Sequence, residues 1–450
     1  MDAAARPDMT IATAPNRLPL VIGVGWGVGT LVSSILLYTT NTLFLRFMTD
    51  YLGIAAATAG FMIGASKIYD AFLDPVFGLA TDRTRHRWGR RRPYLLLGTA
   101  MASVTLIIMF AVPEFESRLD LHAYVMMGLI VLATSYTVFN VPYLAMPAEM
   151  TASPLERSRI MSFRVYASCA AMILSGFVGP IVLAYFGSDM NAYAKMSWIL
   201  SGFILVGGLV CFTTTAEARF TLDEDGQHVS FAGRLRAVGG NKTFVQFMTC
   251  KIVMLFATTS QAASVAYFIK YHLKAGDTVL GGVLLTHTLG MIASQVMWIR
   301  ISKRLGKVGG YRLAAYWFGL ACFAWWPASL VLPIEGMYAI SIMTGMGAGG
   351  CFLLLNALLP DIIAEAASQS GHRHEGLFAS VYTSVEKVGQ ALATASVGLL
   401  LGAFGYIQST KGVAVAQPDS AYWGIGMSYS VVPGVLFIVS TVLMRRFPLR

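Results

Sequence analysis

The stretch Lys67-Ile-Tyr-Asp70-Ala-Phe-Leu-Asp74-Pro75-Val-Phe-Gly78-Leu-Ala-Thr-Asp82-Arg83-Thr-Arg85-His-Arg87-Trp-Gly89-Arg90-Arg91-Arg92-Pro93-Tyr94 sets a lysine and two aspartates into the end of an apolar run and follows them with a burst of arginines. An ionised side chain costs several kcal/mol inside a bilayer, so acids kept in a membrane helix point to a function. Asp70 and Asp74 are four residues apart and share one helix face about a turn apart; Lys67, three residues before Asp70, lies near that face. Two carboxylates and an ammonium in such a cluster bind a cation or share a proton, because like charges this close raise one carboxyl while the lysine opposes the shift. The competing reading is an ion-pair network that only ties helices together.

Composition puts this run in lipid. Of 450 residues, 56% are hydrophobic and 12% charged, with mean hydropathy +0.63, against about 25% charged in soluble domains. Windows of about 20 apolar residues predict an all-α integral membrane protein of twelve spans, near 18–46, 54–80, 95–113, 121–146, 160–185, 195–214, 243–270, 278–300, 311–332, 336–358, 376–405 and 421–444. Basic residues crowd the loops after the even spans (Arg83 to Arg92, Arg157 and Arg159, Arg219 to Lys242, Lys303 to Lys307, Arg373). The other loops carry Arg118, Lys274 and Lys411. The positive-inside rule then places both termini in the cytoplasm and the chain in the cell membrane. The net charge of +10 is an orientation signal, and no separate basic domain offers a nucleic-acid partner.

Residues 1–17, with Asp2, Pro7 and Pro15, lack a basic n-region and a cleavage site and are expected to form a cytoplasmic tail; 447–450 form a second one. The five cysteines lie in or beside apolar segments without CxxC spacing and are expected to pack rather than bridge. His86, His372 and His374 lack ligand spacing, so no metal site and no cofactor are expected. No nucleotide loop or nucleophile constellation is present, which disfavours ATP-driven pumping and catalysis.

The chain repeats itself. Asp82-Arg-Thr-Arg-His-Arg-Trp-Gly89-Arg after span two is echoed by Ser302-Lys-Arg-Leu-Gly306-Lys after span eight, and Pro147-Ala-Glu149 by Pro360-Asp361. Offsets of about 215 residues suggest a parallel six-plus-six repeat. The bundles would cover 18–214 and 243–446, joined by a hydrophilic loop over 215–242.

The run Asp70-x-x-x-Asp74-Pro75-x-x-Gly78-x-x-x-Asp82-Arg83-Thr84, followed by Gly89-Arg90 and Arg92-Pro93-Tyr94, resembles the glycoside-pentoside-hexuronide:cation symporters, the melibiose-carrier branch of the major facilitator superfamily. Gly25-x-Gly27, Thr49-Asp50-x-x-Gly53, Tyr136-Thr137-x-x-Asn140-x-Pro142-Tyr143, Arg164, Glu375-Gly376-Leu377 and Lys387-x-Gly389 extend the similarity over most of the chain. The resemblance implies two six-helix halves that rock about a central site, with a small-molecule solute and a coupling cation as partners in a carrier expected to be a monomer.

It also implies residue roles. Asp70 and Asp74 would be the cation site, with Thr137 and Asn140 as oxygen ligands and Lys387 as a counter-ion reaching across the halves. Where melibiose carriers place an Asn between the aspartates this chain has Leu73, and where they place an acid in span four it has Asn140. Sodium needs several hard oxygens while a proton needs one carboxyl, so proton coupling is expected over sodium, which would use the same aspartates. Arg164 matches the span-five sugar ligand, but span one carries no acid, and Leu144 replaces a tryptophan. Trp26, Lys67, Asn140, Tyr143, Gln261 and Tyr267 are expected to supply the remaining polar edges. Such a pocket suits a glycoside-like solute; an amphiphilic cargo such as a lysolipid, or a non-transporting receptor, are the alternatives. Asp82, Arg83, Arg90 and Arg92 would latch the two halves as a cytoplasmic gate.

Overall fold

The computed structural model describes residues 18–151, 153–218, 242–370, 375–413, 415–445 and 447. Among them the chain forms twelve membrane-length helices: α1 (Leu20–Asp50), α2 (Ala56–Arg83), α3 (Arg92–Phe110), α4 (Arg118–Met150), α5 (154–185), α6 (Met190–Thr214), α7 (Lys242–Tyr271), α8 (277–305), α9 (307–331), α10 (Ile334–Ser370), α11 (Glu375–Ala403) and α12 (Asp419–Leu443). The join between α8 and α9 is a break at Gly306, whose φ of 73° only glycine adopts without strain. Among the described residues nine stretches are long and apolar enough to cross a bilayer by themselves. Helices α2 and α11 fall short of that apolar measure because they carry the charges of the central site. Apolar side chains such as Phe61, Phe72, Tyr166 and Trp198 stay exposed on the outside of the bundle, where lipid replaces water. The tails and most of the central loop lie outside the described residues, as do Arg219, Arg234, Arg236, His372, Arg373 and His374.

Helix pairs meet where side chains are small, since lipid gives no hydrophobic drive to associate and close backbone approach must supply it. Across the halves, α2 packs on α11 through Gly60 and Gly64 against Ala391, Ala395 and Gly398; a methyl on Gly60 would come within 2.9 Å of the Gly398 Cα. Helices α5 and α8 make the corresponding crossing, with Gly176 against Leu284 and Gly281 against Phe177. The internal repeat has a physical counterpart. In the N-terminal half Arg90 and Arg91 hold Glu149, and in the C-terminal half Lys307 holds Asp361 at 2.5 Å. All five cysteines are free, and four are buried in packing.

One end of the bundle is closed. Arg46 of α1 reaches Asp277 of α8 at 2.5 Å, and Asp50 pairs with Lys270 and accepts from Tyr406 Oη. The backbone of 406–412 lies along 49–51, with Ser409 N donating to Thr49 O, Lys411 N to Tyr51 O and Gly412 N to Asp50 O, each at 2.9 Å. An exposed Lys411–Glu114 pair rims it, the ammonium holding the Glu114 carboxyl below its usual range. The central acids lie beyond this seal, yet Asp74 keeps 28% of its side-chain surface, so the interior opens toward the other end.

A bulky residue at the α2–α11 crossing tests this packing. Gly398→Val would drive its side chain into the Ala56 carbonyl, and overpacking of this kind costs about 1–3 kcal/mol. The purified variant should unfold several degrees lower than the parent; an unchanged midpoint would show that the crossing is looser than described.

Candidate solute and cation site

Helix α2 turns Asp70 and Asp74 toward α4 and α11. Lys387 Nζ of α11 lies 2.7 Å from Asp70 Oδ2 and 2.6 Å from Asp74 Oδ2, so one ammonium of the C-terminal half bridges both acids of the N-terminal half. Thr137 of α4 donates its hydroxyl to Asp70 Oδ1 at 2.5 Å and lies 3.1 Å from Asp74 Oδ1. The Tyr136 ring stands 5.4 Å from Lys387 Nζ, within cation–π range. The pairing expected for Lys387 is thus made, with both aspartates at once. A buried ion pair adds little net stability, because desolvation offsets attraction, but stripping away one partner costs about 3–5 kcal/mol. Such a cluster tolerates exchange of its cation and does not tolerate loss of it.

Lys67 takes a different place from the one its spacing suggests. Its Nζ donates to Asn41 Oδ1 at 2.8 Å, on a π-turn of α1 over 40–44, and makes no ion pair with Asp70. Lys387 already occupies the inner side of the acids, which leaves Lys67 a neutral partner on α1. Asn140 follows Thr137 by three residues on α4, and Arg164 lies on α5. Asn140 Oδ1 and Arg164 Nε are buried without a hydrogen-bond partner. Among the described residues no acid pairs with Arg164, so the alternative of an Arg164–aspartate bridge is not formed.

Four expected solute contacts are engaged elsewhere in this conformation. Trp26 is fully buried, stacked on Tyr143 with centroids 4.6 Å apart, and donates its indole N–H to Tyr143 O at 3.1 Å. Tyr143 is equally buried, its hydroxyl shared with Thr30 and Trp26 O. Tyr267 belongs to the closed end, 2.8 Å from Thr49 Oγ1, and Gln261 Nε2 meets Cys322 Sγ at 3.3 Å. Aromatic rings with a polar tip satisfy that tip inside the protein when lipid surrounds the bundle, which takes these edges out of the cavity.

The latch expected of the gate residues, which would form while the cavity opens outward, is not made by Arg90 or Arg92 in this conformation. Arg90 binds Glu149, while Arg92 donates to Phe212 O at 2.7 Å and covers the Phe212 ring at 4.4 Å; both stay within the N-terminal half. The reason is Glu149, 2% exposed at its side chain, which needs cations beside it. Arg83 is exposed, and the Asp82 side chain lies outside the described residues. Two further charged groups escaped the sequence reading: the Arg46–Asp50–Lys270–Asp277 seal, and Lys251 of α7, which pairs with Glu386 at 2.9 Å. Lys251 was visible by the criterion that singles out Lys387, a charge in the middle of an apolar span.

Comparison with known proteins agrees with this architecture. Residues 25–450 match the family model described as MFS/sugar transport protein. The uncharacterized symporter YnaJ of Bacillus subtilis (strain 168) is 30% identical over 437 residues, covering 95% of this chain and 91% of the relative. The isoprimeverose transporter of Lactiplantibacillus pentosus is 26% identical, over 90% of this chain and 83% of its own. The crystal structure of a bacterial homologue of the human lysosomal transporter Spinster, in an inward-facing and unoccupied conformation, superposes with a TM-score of 0.68 at 12% identity, covering 95% and 97% of the two chains, a likeness of fold. A twelve-helix bundle, a charge cluster shared between its halves and a family match over nearly its whole length make this chain a multi-pass membrane transporter, not an enzyme, and a member of the glycoside-pentoside-hexuronide:cation symporter family of the major facilitator superfamily.

Proposed function

We propose that the protein carries a sugar or glycoside-like solute across the cell membrane together with a cation, a proton in preference to sodium, by alternating access. The supporting observation is Lys387 seated between Asp70 and Asp74. A coupling cation and this ammonium compete for the same carboxylates. Loading the acids releases Lys387, removes an ion pair across the halves and frees them to rock about the site. Leu73 points the preference to a proton, since it adds no oxygen to the two carboxylates and Thr137. Asn140 and Arg164, each with a buried polar atom left unbonded, are the groups free to meet solute hydroxyls, because charged donors bind neutral polyols strongly. With both termini cytoplasmic, the closed end faces outward and the conformation described opens inward. The sugar carriers among its relatives favour this solute over an amphiphile.

Reconstituted protein supplied with melibiose, methyl β-xyloside or phenyl β-glucuronide should accumulate at least one of them under a pH gradient. Asp70→Asn or Asp74→Asn should lower gradient-driven uptake about a hundredfold, as removal of a charge from a buried network costs about 3 kcal/mol or more. Uptake driven by sodium alone would overturn the proton assignment.

The outer seal makes a separate prediction. Arg46→Asp should slow uptake by breaking the pair with Asp277, and adding Asp277→Arg should restore part of it. A double variant no better than the single one would show that the pair does not close this end.

A further inference from the structure

Three polar side chains of the C-terminal half gather around one buried ammonium that the coupling cluster does not use. Lys251, in the middle of α7, is 1% exposed. Its Nζ lies 2.9 Å from Glu386 Oε1 and donates to Asn356 Oδ1 of α10 at 3.0 Å. Tyr382, one turn before Glu386 on α11, donates its hydroxyl to the same Asn356 oxygen at 2.7 Å, and its ring stands 5.0 Å from the ammonium. A lysine without a task at this depth would extend toward a membrane surface; this one is turned inward.

The residues it holds are not buried with it. Glu386 keeps 27% of its side-chain surface, and Asn356 is exposed. Arg46 and Asp277, which tie helices in the outer seal, are by contrast both hidden. With two donors on Asn356 Oδ1, its Nδ2 amide is directed away from the cluster, and Glu386 retains lone pairs beyond the one facing Lys251. The result is a fixed carboxylate acceptor beside a fixed amide donor, both with surface still exposed. Neighbouring hydroxyls of a polyol fit this pattern, one donating to the carboxylate and the next accepting from the amide.

The place of the pair decides which space it faces. Glu386 precedes Lys387 on α11, the ammonium that joins Asp70 and Asp74 of the N-terminal half and stands over the Tyr136 ring. Glu386 therefore stands one residue from the ammonium that links the halves, with Asn356 held beside it through Lys251. We infer that Glu386 and Asn356, with Lys251 as their positioning residue, form a second solute subsite in the C-terminal half that takes a pair of adjacent hydroxyls. This rests on the reading of the protein as a sugar symporter. A solute bound at both subsites ties the halves together, so its grip is strongest in the closed, loaded state and promotes the passage between inward and outward forms.

The test uses full-length protein in proteoliposomes with the same three probes, melibiose, methyl β-xyloside and phenyl β-glucuronide. Glu386→Gln and Asn356→Ala should each raise the half-saturating concentration of the transported probe about tenfold, the range of one hydrogen bond to a charged group, while protons moved per solute stay unchanged. Lys251→Met should do the same and Lys251→Arg should restore affinity, a rescue that loss of folding would not show. The double variant Lys251→Met with Glu386→Gln removes both charges together and leaves no uncompensated ion; it should fold and keep the affinity loss. Half-saturation within twofold of the parent in Glu386→Gln and Asn356→Ala would overturn the subsite and leave the symport reading intact. Failure of the parent to move any probe would overturn both.

Discussion

The bridge from Lys387 to Asp70 and Asp74 is the constraint around which the bundle is organised. Three charges at the middle of a membrane protein persist only if each has a partner, and these partners come from different halves. The α2–α11 crossing must therefore be tight, and its glycines and alanines make it so. The same demand places Thr137 on the second oxygens of both acids and Tyr136 beneath the ammonium. Because attraction and desolvation nearly cancel in such a cluster, it holds the halves without locking them. A structural clamp and a transport site ask opposite things of an ion pair, and near-cancellation suits the second.

The ends of the bundle show the same economy in different form. At the closed end the halves are joined by Arg46–Asp277, by Asp50 with Lys270 and Tyr406, and by backbone hydrogen bonds between 49–51 and 409–412. At the other end the charged groups work within each half: Arg90 and Arg91 with Glu149, Lys307 with Asp361. That asymmetry is what a single conformation of a two-state carrier looks like, with contacts between halves gathered at one end. The pairs at the open end also fit the repeat read from the sequence, each joining a base near the loop to an acid on the second helix after it.

Much of this was legible before any coordinates. A charged run inside apolar sequence marks α2, the period of apolar windows marks the twelve spans, and the i, i+4 spacing puts both aspartates on one face. Lys387 was legible as a charge needing a counter-ion, and across a bundle the acids were its natural partners. Other expected solute contacts meet protein partners in this conformation, for a common reason. Trp26, Tyr143, Gln261 and Tyr267 are polar enough to line a cavity, but polarity does not tell whether a side chain's partner is a solute or a neighbouring carbonyl. Lys67 sits on the expected face and still turns to Asn41, because a rival cation arrives from a distant part of the chain.

By itself the sequence determined what burial energetics makes local: which segments cross lipid and which charges must be sheltered there. Only the tertiary structure decided which sheltered charges meet. Arg46 finds Asp277, Lys251 finds Glu386 and Asn356, and Arg90 stays with Glu149 without crossing to the other half. Those choices depend on helix packing between residues up to hundreds of positions apart. Hydropathy and spacing carry no information about which faces come into contact, and electrostatics acts only on the faces that do.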